Sequence, residues 1–179
     1  MIEIKDITEY RYKAEDYEKT EELKIFLQNQ MKERDPFYLN FKELDKILHW
    51  KLLTQYGRQK EKRSIEITDE IVQNFTKWAF KITYANEDYE TYLKIKTLMV
   101  PRGISIGIAS AILALCFPEK YAVIDFRVWR QLFSEERNVY TINQYLEYLK
   151  KVKKFAEILG WDPQEVDLAI WAYDKEKNP

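Results

Sequence analysis

Apolar residues along this chain recur at helical spacing, and no stretch alternates in the two-residue rhythm of a half-buried strand. Over 15–34, Leu23, Leu27 and Met31 form a spaced stripe on an otherwise charged helix. The Asp35–Pro36 step ends that helix, because a residue before proline is pushed out of the α region. Phe41, Leu44, Leu48 and Leu52 predict a core-facing helix closing near Gly57, followed by a polar connector over 58–66. Thr68 is placed to cap a helix through Ile71, Phe75, Trp78 and Ile82, and Asn86 to cap one reaching Leu98. Thr141 and Gln144 have the spacing of a capping box ahead of a stripe from Tyr145 to Leu159. Gly160 stands where a left-handed helix stop is needed. Asp162-Pro163-x-Glu165 opens a last helix, with proline at its first position and an acid in its first turn. These elements predict an all-α fold.

The length, 179 residues, suits a single domain over 1–179. Apolar residues make up 46% of it, enough for a packed core, which excludes a disordered chain. The opening stretch is too charged for a secretory leader, and the longest apolar run, Ile104 to Phe117, is too short to cross a bilayer. A single cysteine, Cys116, cannot form an internal disulfide, so the expectation is a cytoplasmic protein without membrane attachment. No Cys/His cluster stands at metal-ligand spacing, so no metal or cofactor is expected. Net charge is −1, which by itself speaks against nucleic acid. The basic residues nevertheless concentrate in the middle of the chain and the acidic ones at its two ends, which leaves room for a basic face on a neutral molecule.

Two of the four glycines, Gly103 and Gly107, fall in the segment PRGISIGIASAILALCFP. Glycine is costly inside a helix, so the pair points to a tight turn whose backbone something approaches closely. Such a turn feeding a helix N-terminus leaves backbone N–H groups unpaired and carries partial positive charge, which suits a phosphate. A tight helix–helix turn chosen only for packing fits the same residues. Beyond Pro118, the stretch EKYAVID leads to a short helix opening at Asp125 and carrying Arg127 and Arg130.

This segment resembles the helix–hairpin–helix and Gly/Pro-Asp core of the endonuclease III and adenine glycosylase superfamily of DNA glycosylases. Gly103-Ile104-Ser105-Ile106-Gly107-Ile108-Ala109 takes the place of the hairpin. The step from Ala109 to Asp125 is the family's sixteen-residue step, and basic residues follow. The resemblance is strong over 98–132, with weaker echoes in LHWKLLTQYGRQ and VDLAIWAYDKE. It implies a helical bundle of two lobes around a cleft, with 1–35 and 141–179 packing as one lobe. It also implies duplex DNA as partner and a monomer. The chain departs from the family in three places: Ser105 stands for the second hairpin glycine, Pro101-Arg102 for the Leu-Pro pair, and Gly107 for the lysine of members that also cleave the DNA backbone.

What the resemblance implies chemically is hydrolysis of the N-glycosidic bond of a damaged or mispaired base, with the Asp125 carboxylate stabilising positive charge on the sugar. A cap-only role for Asp125 is the alternative. Gly103, Ser105, Gly107, Arg127 and Arg130 are the expected DNA contacts, and His49, Trp50, Lys51 and Gln55 line the expected base pocket. Arg58 is a further contact on the same helix, and Asp167 and Trp171 on the last helix are placed to close the cleft. Trp129, between the two arginines, suits nucleic acid or packing equally. Without the hairpin lysine the enzyme is expected to hydrolyse only; Lys51 and Lys120 are the remote substitutes, and neither is expected to act. Two rival readings stay open: a non-catalytic DNA-binding protein on the same fold, and a helical protein-interaction scaffold. The base is not named by the sequence.

Overall fold

The computed structural model describes residues 2–52 and 67–179. These residues form helices α1 (Ile4–Ile7), α2 (Tyr17–Glu33), α3 (Phe41–Leu52), α4 (Asp69–Lys81), α5 (Glu87–Leu98), α6 (Ile106–Cys116), α7 (Phe126–Phe133), α8 (Ile142–Leu159) and α9 (Pro163–Lys177), with a 3-10 turn at Thr8–Tyr10. No strand occurs among the described residues, so the fold is all-α. No helix among them is long and apolar enough to cross a membrane. The expected helix end near Gly57, the connector over 58–66, and Gln55 and Arg58 lie outside the described residues.

The predicted caps close the helix ends. The Thr68 hydroxyl accepts the Ile71 N–H at 3.3 Å, and the Asn86 side chain accepts that of Tyr89 at 2.9 Å. Thr141 and Gln144 form the reciprocal box: the Thr141 hydroxyl accepts the Gln144 N–H at 3.2 Å, and the Gln144 side chain accepts the Thr141 N–H at 2.8 Å. Gly160 ends α8 at φ 66°. Each device satisfies backbone groups that a helix terminus leaves without partners.

Helix α6 is the axis of the fold. Every side chain from Ile108 to Cys116 is buried, which a helix tolerates only when neighbours surround it. Helices α2, α3, α5 and α9 pack on it. Residues 10–15 fasten to α9: the Tyr10 hydroxyl donates to Glu176 at 2.9 Å, Arg11 pairs with Glu165 at 3.1 Å, and Glu15 pairs with Lys175. Helices α1 and α8 also contact α9, whereas α2 packs on α3 and α6.

Candidate active site

Between α6 and α7 the chain runs extended through the core, with Tyr121, Ala122, Val123 and Ile124 all buried. Buried backbone groups need partners, and here side chains supply them. The Val123 N–H goes to the Asp167 carboxylate and the Ile124 N–H to the Ser110 hydroxyl at 3.1 Å. The Tyr145 hydroxyl donates to the Ala122 carbonyl at 3.0 Å, and the Tyr148 hydroxyl to that of Val123 at 2.8 Å. Three helices therefore hold the strap that delivers Asp125. Sequence reading missed Ser110, Tyr145 and Tyr148 in this role. The one available signal was Ser110, the lone hydroxyl within the apolar run of α6.

Asp125 is the N-cap of α7, its Oδ1 accepting the Arg127 N–H at 3.1 Å. Its other oxygen, Oδ2, accepts from the Lys51 ammonium at 3.0 Å, and Lys51 Nζ also donates to the Ile124 carbonyl at 3.4 Å. The two side chains are only 16% and 21% exposed, so this is a largely desolvated ion pair. Lys51 comes from α3 and passes beside Gly107, where a Cβ would lie 3.9 Å from Lys51 Cε. Gly107 itself is helical, in the first turn of α6. The turn residue is Gly103, at φ 91°, so the expected tight turn centres on one glycine rather than two.

The ion pair forms a wall shared by two cavities. The inner one, about 80 Å³, is walled by Trp50, Trp171, Leu168 and Val123 and includes Asp167. At about 10–15 Å³ per water it has space for roughly half a dozen water-sized groups. The outer one is an open groove of about 450 Å³, running from Ser105, Ile106 and Gly107 at the start of α6 to Asn138, Val139 and Tyr140. Ser105 makes no side-chain cap, and the first helical bond of α6 is donated by Ala109 to the Ser105 carbonyl at 2.9 Å. The amides of Ile106 and Gly107, which precede that first bond, thus border the groove. Tyr140, beside Asp125, donates its hydroxyl to the Arg137 carbonyl at 2.6 Å. Burial, and then the Asp125 charge, push its pKa upward, so it stays a neutral donor.

The other expected site residues are distributed differently. Trp50 lines the inner cavity, its indole N–H donating to the Thr20 hydroxyl at 2.9 Å. His49 is exposed in a separate surface groove between α2 and α3, away from Asp125. Arg127 and Arg130 are both committed to the fully buried Asp174 on α9: Arg127 Nη1 at 3.1 Å, and Arg130 Nε and Nη2 at 3.0 and 2.6 Å on its two oxygens. Both arginines, still partly exposed, are thus tied to the last helix. Trp129 is core, 2% exposed and stacked on Phe133. Arg102, exposed at the hairpin, has no ion-pair partner among the described residues. Among those residues no group of three or more His, Cys, Asp or Glu side chains could hold a metal ion. No family model, no curated protein and no solved structure matches this chain.

Proposed function

We propose that the protein is a DNA glycosylase of the helix–hairpin–helix type, acting on a duplex that carries a damaged or mispaired base. The observation that carries this reading is the Lys51–Asp125 pair standing between an aromatic cavity and an open groove that begins at the α6 N-terminus. An extruded nucleotide has that layout: a planar base, a sugar, and a phosphate on the far side. The base enters between Trp50 and Trp171, the sugar rests at Asp125, and the phosphate meets the backbone amides of 106–108. As the base departs, positive charge grows on the sugar ring, and a carboxylate fixed by the Arg127 N–H stabilises it without reorganising. Extrusion costs a few kcal/mol, least for a damaged or mispaired base, which favours such substrates.

The test is base release from duplexes bearing uracil, hypoxanthine, 8-oxoguanine, an alkylated purine or a mismatch, with alkali added to reveal abasic sites. Release by the wild type and not by Asp125→Asn is the expected result. Salt-sensitive binding by both proteins with no release would establish the non-catalytic DNA-binding reading instead. That second reading draws support from the commitment of both Asp125 oxygens to internal partners.

A further inference from the structure

Three carboxyl groups line the inner cavity: Asp16, Asp125 and Asp167. Two of them face cations, Asp125 the Lys51 ammonium at 3.0 Å and Asp16 that of Lys19 at 3.3 Å. Asp167 has no ion pair among the described residues, although it is only 4% exposed. One of its oxygens, Oδ2, accepts the Val123 N–H, which leaves Oδ1 for whatever occupies the cavity. From this arrangement we infer that Asp167 selects the base: its carboxyl O–H donates a hydrogen bond to a carbonyl oxygen on the base's edge, so the cavity takes a neutral deaminated or oxidised base in preference to a cationic alkylated one. The inference rests on the glycosylase reading for its occupant and narrows the substrates of that same site.

A carboxylate withdrawn from water needs a cation, and without one it keeps its proton. Burial accordingly raises the Asp167 pKa well above its usual value. The Asp125 charge acts in the same direction, while the Val123 hydrogen bond, Lys51 and Lys24 oppose it without prevailing. The Tyr145 and Tyr148 phenols of α8 are held neutral by their own burial. The Val123 N–H keeps Oδ2 as the acceptor, so the proton resides on Oδ1. Lys51 and Asp125 cancel each other and Lys19 offsets Asp16, so a neutral Asp167 leaves the cavity lining balanced in charge. A carbonyl oxygen entering between Trp50 and Trp171 finds a donor there, whereas a cationic base finds no unbalanced negative group. Loss of one such hydrogen bond weakens binding about tenfold.

The experiment measures affinity for two pairs of duplexes: deoxyinosine against purine deoxyriboside, and deoxyuridine against 2-pyrimidinone deoxyriboside. The second member of each pair lacks one carbonyl oxygen. The wild type should bind the carbonyl-bearing member about tenfold more tightly in at least one pair, and a duplex with 7-methylguanine no better than one with guanine. Asp167→Asn should keep that ratio, because its carbonyl accepts the Val123 N–H and its amide N–H replaces the carboxyl donor. Asp167→Val should lose it. Infrared difference spectra of the wild type and Asp167→Asn at neutral pH should show a protonated-carboxyl band in the wild type alone, which moves to lower frequency when the preferred duplex binds. Unfolding temperatures verify the fold of both variants, and if Asp167→Val does not fold, the band and the asparagine variant decide. No carboxyl band, ratios near one in both pairs, a ratio lost in Asp167→Asn or kept in a folded Asp167→Val, or tighter binding of 7-methylguanine would each overturn the inference. Base release indifferent to the carbonyl overturns this inference alone. Discrimination in binding without base release from any damaged duplex overturns the glycosylase reading and leaves a DNA-binding protein that selects its base through Asp167.

Discussion

Asp167 and Asp174 lie two turns apart on α9, and their pKa values are shifted in opposite directions. Asp167 accepts the buried N–H of Val123, and Asp174 gathers Arg127 and Arg130. Asp125 sits between those two attachment points, so one helix secures the chain on both sides of it. Burial raises the pKa of Asp167 well above its usual value, outweighing the Val123 hydrogen bond. At Asp174 burial also pushes upward, but hydrogen bonds from Arg130, Gln131 and Arg127 prevail, and the pKa falls below its usual value.

Asp167 therefore binds its proton more tightly in the folded chain than in the unfolded one. Its contribution to stability is complete below the unfolded carboxyl pKa of about 3.9 and is lost as pH rises through the raised folded value. Asp167→Asn removes the titration and keeps a carbonyl oxygen for the Val123 N–H. The variant should gain stability relative to the wild type as pH rises from mildly acidic to alkaline. Urea unfolding midpoints of the two proteins across that range measure the difference; a difference that stays constant with pH refutes the assignment.

Asp174 behaves in the opposite sense. Its pKa is lowered on folding, so its contribution is present above about pH 3.9 and is lost as pH falls through the lower folded value. Asp174→Asn strips the charge from a fully buried partner of two arginines, and breaking such a cluster costs about 3 kcal/mol at neutral pH. For a chain of this length that lowers the unfolding temperature by roughly 6–12 °C. In acid the penalty should shrink. Thermal unfolding at neutral pH and near pH 3 tests both statements.

The helix ends were legible because capping is local: Thr68, Asn86, the Thr141–Gln144 box and Gly160 each act within a few residues. Asp125 was legible as a helix cap, and as such it closes the start of α7. What escaped were partners far apart in sequence. Nothing within α7 reveals that Arg127 and Arg130 both pair with Asp174 on the last helix. Nor does spacing bring Lys51 to Asp125, since α3 reaches it only after the helices fold around α6. His49, two residues before Lys51, lands in a different groove because at about 100° per residue helical positions two apart point to nearly opposite sides.

The two hairpin glycines should respond differently to alanine. Gly107 is helical, and a Cβ there would meet only ordinary contacts at 3.9 Å. Gly107→Ala gains helix propensity and should stabilise the fold by about 0.5–1 kcal/mol. Gly103 lies at φ 91°, which a Cβ makes strained, so Gly103→Ala should cost about 1–2 kcal/mol. Denaturant midpoints decide; equal effects of the same sign would contradict these backbone assignments.

Arg102 and Arg130 allow the proposed DNA contact to be tested apart from structural support. Arg102 is exposed at the hairpin without an ion-pair partner among the described residues, whereas Arg130 is held by Asp174 and Glu136. Each phosphate contact contributes about 0.9 to the slope of log affinity against log salt. Arg102→Ala should weaken duplex binding across sequences and lower that slope by about one, with an unchanged unfolding temperature. Arg130→Ala should leave the slope alone and lower the unfolding temperature, because it removes a ligand of Asp174. Binding titrations over a salt series, run beside thermal unfolding, distinguish the two. A slope that falls with Arg130→Ala and holds with Arg102→Ala would move the DNA contact from the hairpin to α7, and would mean that the Asp174 cluster opens when DNA binds.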